Sequence, residues 1–312
     1  MYQLHSPEGW DVWGRTMAIR VEFSRKDATF VSDARNPTVR RRELGALLRA
    51  LRNEKSLTVE QVAERLLCSP SKVSRMETGH GVATLRDVRD LCELYDVTDQ
   101  AERDRMTRLA REGKQQGWWQ AYDLPYSTYV GLEEEAVSIR IYDSAVVPGL
   151  FQTAEYAWAL HAASLPKHDD NVISQRIEVR ATRQRILTRP NAPSVHVVLD
   201  EAVLHRVVGS PEIMRTQLAR VLEVMTLPNV KLQVISYASG AHPALDSIFT
   251  LLEFAPPAPD VIYVEGLVGN LYLEQEKDIR RYRDVLDRLS VTALSQDKSA
   301  ELLQKVIMEH KN

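Results

Sequence analysis

The stretch Leu57-Thr-Val-Glu-Gln-Val-Ala-Glu-Arg-Leu-Leu-Cys-Ser-Pro-Ser-Lys-Val-Ser-Arg-Met-Glu-Thr-Gly79 decides how the N-terminal part of this chain folds. Thr58 is followed three residues later by Gln61, a capping box in which each side chain satisfies a backbone N–H left free in the first helical turn. Val59, Val62, Ala63 and Leu66 then recur at i, i+3, i+4 and i+7, one apolar stripe of a short helix. A second helix opens with Ser69 as cap and Pro70 at the first helical position, where a missing N–H costs nothing. Gly79 closes it. Inside it only Val73 and Met76 sit at core spacing, so Ser71, Lys72, Ser74 and Arg75 face outward.

Two capped helices joined by a tight turn, with hydrogen-bonding side chains on the outer face of the second, outline a helix-turn-helix suited to base edges and phosphates. Its surroundings agree. Upstream, Leu44, Leu47, Leu48 and Leu51 form another apolar stripe behind the basic run Arg40, Arg41 and Arg42. Downstream, Thr84 can cap a helix carrying Leu85, Val88, Leu91, Cys92 and Tyr95, and a charged helix follows from about Asp99 to Glu112. Five short helices over residues 38–113 make an all-α unit.

Over residues 40–97 these features resemble the Cro and phage-repressor helix-turn-helix family, often called XRE. The resemblance implies a five-helix, lambda-repressor-like DNA-binding domain. It implies that Arg52 and Glu77 form a structural ion pair and that Pro70, Ser71, Ser74 and Arg75 occupy base-reading positions. Lys72, Thr58 and Thr78 would lie close to phosphates. Ser69 and the basic run Arg40, Arg41 and Arg42 are further expected DNA-binding residues. Arg75 is the best candidate for a bidentate contact to guanine. Two departures stand out. Val59 replaces a glutamine that in many relatives braces the recognition helix, and Leu67-Cys68 replaces a turn glycine, which predicts mild strain.

The 312 residues make two domains the default. The sequence has neither an apolar run of membrane-spanning length nor a signal-peptide pattern, so the expected location is cytoplasmic. Cys68 and Cys92 both fall inside the helical unit, as reduced thiols rather than metal ligands, and no metal or cofactor is expected. The net charge of −3 is unevenly spread. Residues 38–80 hold nine Lys and Arg against five Asp and Glu, whereas residues 117–312 hold nineteen against twenty-five. The basic end suits DNA, and the acidic remainder does not.

A composition shift at residues 113–117 marks the boundary to a larger domain over 117–312. Apolar β-type runs occupy Ser138–Tyr142, Val195–Leu199, Val230–Tyr237, Ile248–Phe254 and Val261–Val264. Helical patterns fill Thr153–Ala163, Ile173–Leu187, Pro211–Thr226, Asp278–Leu289 and Lys298–Glu309. This predicts a mixed α+β domain, a sheet covered by helices. Four segments, Val147-Pro-Gly-Leu-Phe-Gln-Thr153, Val198-Leu-Asp-Glu201, Gly240-Ala-His-Pro243 and Tyr263-Val-Glu-Gly266, resemble the effector domain of actinobacterial XRE regulators of the WhiJ-like, toxin–antitoxin-like group. That resemblance implies a transcription regulator, in many members encoded beside a small partner protein.

Asp200, Glu201, Glu265 and His242 could serve a hydrolytic site. They read equally as helix caps and turn formers, and without an assembled nucleophile motif or metal spacing no reaction is expected. Trp118, Trp119, Tyr122, Tyr126 and Tyr129 suit a partner or ligand surface, together with His242 and Glu265, or else a domain seam. Glu133, Glu134 and Glu135 read as bait for a basic partner or as a solvated helix face. Arg176, Arg180, Arg183 and Arg185 read as partners of acids within the domain or of an anionic ligand. Residues 1–37 form a leader expected to be flexible.

The sequence therefore predicts a homodimeric regulator that reads a palindromic operator in double-stranded DNA, with an effector domain that binds a partner protein or ligand. The alternative is an antitoxin-like adaptor acting mainly through a small partner protein.

Overall fold

Five helices come first, in the places that the caps and stripes assign: α1 (Pro37–Glu54), α2 (Val59–Arg65), α3 (Pro70–Glu77), α4 (Leu85–Leu94) and α5 (Gln100–Glu112). The computed structural model describes residues 37–164, 170–256, 258–266 and 269–310. Apart from Pro37, the leader assigned to residues 1–37 lies outside them. Leu44, Leu48, Val62, Val73, Met76, Val88, Leu91, Tyr95, Met106 and Leu109 share the core of the five helices. Thr84 caps α4 with Asp87 in a second capping box, and Asp99 caps α5.

The rest of the chain is a mixed sheet between helical layers. Its elements are α6 (Ser127–Glu135), β1 (Ser138–Asp143), α7 (Ala154–Ser164), α8 (Asp170–Gln184), β2 (Ser194–Asp200), α9 (Ala202–His205), α10 (Pro211–Val224), β3 (Val230–Ile235), β4 (Phe249–Glu253), β5 (Val261–Glu265), β6 (Asn270–Leu273), α11 (Glu276–Thr292) and α12 (Gln296–Glu309). The six strands lie in the order β3-β2-β1-β4-β5-β6. β1, β2 and β3 pair in parallel, and β4, β5 and β6 continue antiparallel. Two reversals bring β5 back to the direction of β1, so Asp143, Asp200 and Glu265 end their strands on the same edge.

Alternation along the strands sorts the two faces. Ile139, Ile141, Val195, Val197, Leu199, Leu252 and Val261 join a core with residues of α6, α10 and α12. Tyr142, Val198, Phe249, Leu251 and Ile262 face the opposite way, against Ile279, Leu286 and Leu289 of α11. Five helices followed by a mixed α+β part is the architecture expected from the sequence.

Two elements escape sequence reading. All of Tyr129, Val130, Leu132 and Glu133 of α6 are buried, so the helix is covered on every side and shows no stripe. β6 is four residues long and partly exposed.

Helix α1 belongs to both parts. Val39, near its start, sits in the sheet core with Tyr129 and Leu132, while Leu44 and Leu48 lie in the helical core. Arg40 Nη2 reaches Glu135 Oε1 of α6 at 3.0 Å, and Arg42 Nη1 reaches Glu274 Oε1, just after β6, at 2.5 Å.

Candidate nucleic-acid interface

The two caps fix the helix-turn-helix backbone. Gln61 N donates to Thr58 Oγ1 at 3.2 Å and Thr58 N donates to Gln61 Oε1 at 2.8 Å. Ser69 Oγ accepts from Lys72 N at 3.2 Å. Between the helices Leu67 holds φ at +51°, in the left-handed region, with its side chain 94% exposed. This is the strained turn expected where relatives place glycine.

Helix α3 is clamped from behind. Arg52 Nε and Nη2 donate to Glu77 Oε1 and Oε2 at 2.7 and 2.9 Å, and its Nη1 donates to Leu57 O at 2.9 Å. Glu77 is buried, and its carboxylate bond holds the Arg52 pKa above the ordinary arginine value. Gly45 of α1 makes the crossing close. A Cβ there would stand 2.6 Å from the carbonyl oxygens of both Met76 and Glu77.

With Val73, Met76 and Glu77 turned inward, Pro70, Ser71, Lys72, Ser74 and Arg75 remain exposed on α3. Among the described residues the Arg75 guanidinium makes no hydrogen bond or ion pair. Lys72 Nζ lies 2.6 Å from Asp87 Oδ1. Burial works to raise the Asp87 pKa, but bonds from Lys72 and Thr84 outweigh it and leave the carboxyl below its usual value. Thr78 Oγ1 donates to Ser74 O at 2.9 Å, so that hydroxyl serves the helix end. A shallow cleft on this face is lined by Ser69, Ser71, Lys72, Arg75, Met76, Gly81 and Val82. Gly81 and Val82 carry no signal in the sequence beyond a glycine-rich turn. Gly81 N donates to Arg75 O at 2.7 Å, which draws the loop after α3 back against that helix.

Arg40 and Arg42 are corrected by the structure. Arg40 bridges Glu43, Glu112 and Glu135, and Arg42 is buried on Glu274. Arg41 packs against Gly113 and burial lowers its pKa. Arg40 and Arg42 form an internal seam of α1 and not a DNA-facing patch, while Arg41 stays half-buried.

Of the two readings of the aromatic group, packing at a seam holds and an open partner or ligand surface does not. Trp119 and Tyr129 are buried, and Trp118, Tyr122 and Tyr126 pack against a small core with Leu124, Val130 and Val179. Neither reading of Glu133, Glu134 and Glu135 holds. They pair internally with Arg183, Arg189 and Arg40. His242 Nε2 lies 3.6 Å from Asp200 Oδ2 and 3.4 Å from Tyr142 Oη, while its Nδ1 accepts from Ala244 N at 3.4 Å. Both ring nitrogens face protein partners, and the side chain is 1% exposed. Glu201 Oε2 accepts from Tyr237 N at 2.7 Å. Glu265 is exposed at the end of β5.

Cys68 and Cys92 are free thiols. Among the described residues no group of three or more His, Cys, Asp or Glu could hold a metal ion, and no helix is long and apolar enough to cross a membrane.

Two family models match the chain. A model described as a helix-turn-helix domain matches residues 43–106, and one described as Domain of unknown function (DUF5753) matches residues 126–305. No curated protein and no solved structure gives a match. The helix-turn-helix domain supports a DNA-binding regulator.

Proposed function

The chain belongs to the family described as Domain of unknown function (DUF5753), here following a helix-turn-helix domain, and from that premise we propose a sequence-specific transcriptional regulator of the XRE type. α3 enters the major groove. Arg75 reads a guanine through a bidentate contact, with Ser71 and Ser74 on neighbouring base edges and Lys72, Thr58 and Ser69 against phosphates. The observation that carries this reading is the division of α3. Its inner face is fixed by Val73, Met76 and the Arg52–Glu77 clamp, while its outer face ends in an exposed arginine whose guanidinium has no partner among the described residues.

One small module buries too little surface for a specific complex, so two subunits act together on half-sites about 34 Å apart. The sheet part is the effector, of the WhiJ-like kind, and it binds a ligand or partner rather than turning over a substrate. The preference for binding over catalysis rests on the sequence, which assembles no nucleophile motif or metal spacing.

Selection of bound sequences from a random DNA pool, followed by sedimentation of the complex, tests this reading. A palindromic consensus carrying two subunits is the expected outcome. Enrichment of no sequence at all would refute it and favour an adaptor whose promoter choice comes from a partner.

A further inference from the structure

The loop Val147-Pro-Gly-Leu-Phe-Gln-Thr153, largely buried between β1 and α7, is pinned by side-chain amides along its backbone. Gln152 Nε2 donates to Val147 O at 2.6 Å. Gln184 Nε2 donates to the carbonyls of Gly149 and Gln152 at 3.0 and 2.7 Å. Gln217 Nε2 donates to Phe151 O at 2.8 Å, while its Oε1 accepts from Thr153 N at 2.7 Å. Three side-chain amides therefore hold the backbone in place beside two arginines of α8, one turn apart.

Those arginines differ. Arg183 gives Nε and Nη2 to Glu133 at 2.6 and 2.8 Å, with its guanidinium over the rings of Tyr126 and Tyr129. Its Nη1 makes no hydrogen bond among the described residues. Arg180 has no carboxylate partner among the described residues. Its hydrogen-bonding partners are Gln152 Oε1 and His161 Nε2, and its buried Nε donates to nothing among the described residues. The Tyr126 hydroxyl is buried as well and makes no hydrogen bond among the described residues. Burial, and then the neighbouring Arg183 charge, pull the Arg180 pKa down to about 10.

Gly149 leaves open the space between the two guanidinium groups. A Cβ built there would lie 3.6 Å from Arg183 Nη1 and Nη2 and 3.7 Å from Arg180 Nε, with nothing nearer. Glu265 and Glu133 act on Arg180 only through space; a largely desolvated cation with no carboxylate bonded to it is costly, and an anion that accepts from it lowers the cost. We propose that Arg180, Arg183 Nη1, the Tyr126 hydroxyl and the space before Gly149 form a binding site for an oxyanion, the carboxylate or phosphate group of a small ligand. The site names the ligand chemistry for the effector part, and only its consequence for DNA rests on the regulator reading. Glu133, which shares Arg183 with this site, lies on the α6 helix whose Glu135 holds Arg40 of α1. That chain of contacts connects the site to the recognition unit.

Thermal melting of the full chain tests the proposal, with sodium phosphate or sodium acetate replacing sodium chloride at constant ionic strength. One oxyanion at ten times its Kd should raise the wild-type midpoint by about 2–4 °C. Which of the two does so separates phosphate from carboxylate ligands. Gly149→Ala, whose methyl fits at ordinary contact distance and fills the space, should lose the shift, as should Arg180→Gln. Arg75→Ala should keep it. No shift with either anion, a shift retained in both effector variants, or a shift lost in Arg75→Ala would overturn the proposal. DNA affinity of the same samples separates the two layers. A shift without any change in DNA affinity leaves the anion site standing and removes its role as an effector site.

Discussion

Leu67 occupies the left-handed region, where an L-residue with a Cβ costs roughly 1–2 kcal/mol relative to the right-handed helix. Its side chain recovers almost nothing, because it is nearly fully exposed. Leu67→Gly is therefore expected to stabilise the chain by about 0.5–1 kcal/mol, read as a higher urea midpoint with unchanged DNA affinity. A lower midpoint would show that Leu67 contributes packing. Asp143 is a second costly residue. Burial pushes its carboxyl up to about 6 while Ala145 N and Val146 N donate to Oδ1. Because the folded pKa lies above the unfolded one, the stability it contributes is complete below about pH 4 and is lost as pH rises through about 6. Asp143→Asn keeps the acceptor oxygen and removes the titration. It should gain on the order of 2 kcal/mol over wild type at pH 7.5, and the difference should vanish at pH 4. Equal denaturation midpoints at both pH values would contradict this. The strain at Leu67 is legible in the sequence, from a bulky residue in a turn that relatives build with glycine. The cost at Asp143 is not, since it depends on what the fold stacks above the sheet edge.

At the scale of elements, the recognition helix is only as well placed as its clamp. Glu77→Gln leaves the Arg52 guanidinium facing a neutral amide in a largely buried position and should cost about 3 kcal/mol, with a comparable loss in DNA binding. Arg49, exposed and 3.8 Å from the same carboxylate, should tolerate alanine within about 0.5 kcal/mol. Urea titration of both variants checks the contrast, and equal costs would refute the assignment of the clamp to Arg52. The caps, the stripes and the Arg52–Glu77 pair could be read from the sequence because their signals are local or carried by resemblance. Arg40 and Arg42 could not. Beyond the local Glu43, the carboxylates that tie them into the sheet part lie 95 and 232 residues away, so a basic run on paper becomes a seam in three dimensions. The acidic run of α6 is its mirror image, with Glu133 and Glu134 answered by arginines 50 and 55 residues later.

Over the whole molecule, α1 ties the helical part to the sheet part. Val39 lies in one core and Leu44 and Leu48 in the other, so neither core can open without disturbing the same helix. Unfolding should accordingly be a single transition in which labelling of the buried Cys92 thiol and loss of tryptophan fluorescence coincide. Glu274→Gln, which strips Arg42 of its partner, should lower that common midpoint without splitting it. Cys92 labelling well ahead of the fluorescence change would show the two parts to be independent. A rigid connection of this kind gives an effector site a physical route to the DNA-reading helix. The fold class was legible in the sequence, because strand alternation and helical stripes are local. The embedding of α1 was not, because it rests on contacts between distant segments.

The central claim is that α3 reads DNA and that Arg75 is its main reader. Fluorescence anisotropy of wild type and Arg75→Ala on the protein's own promoter and on random DNA, at two salt concentrations, tests it most directly. The expected result is a selective wild type and a variant that loses about 1–3 kcal/mol on the promoter, little on random DNA, and none of the salt dependence. Equal loss on both DNAs with a shallower salt slope would place Arg75 on phosphate. A wild type indifferent to sequence would contradict the account.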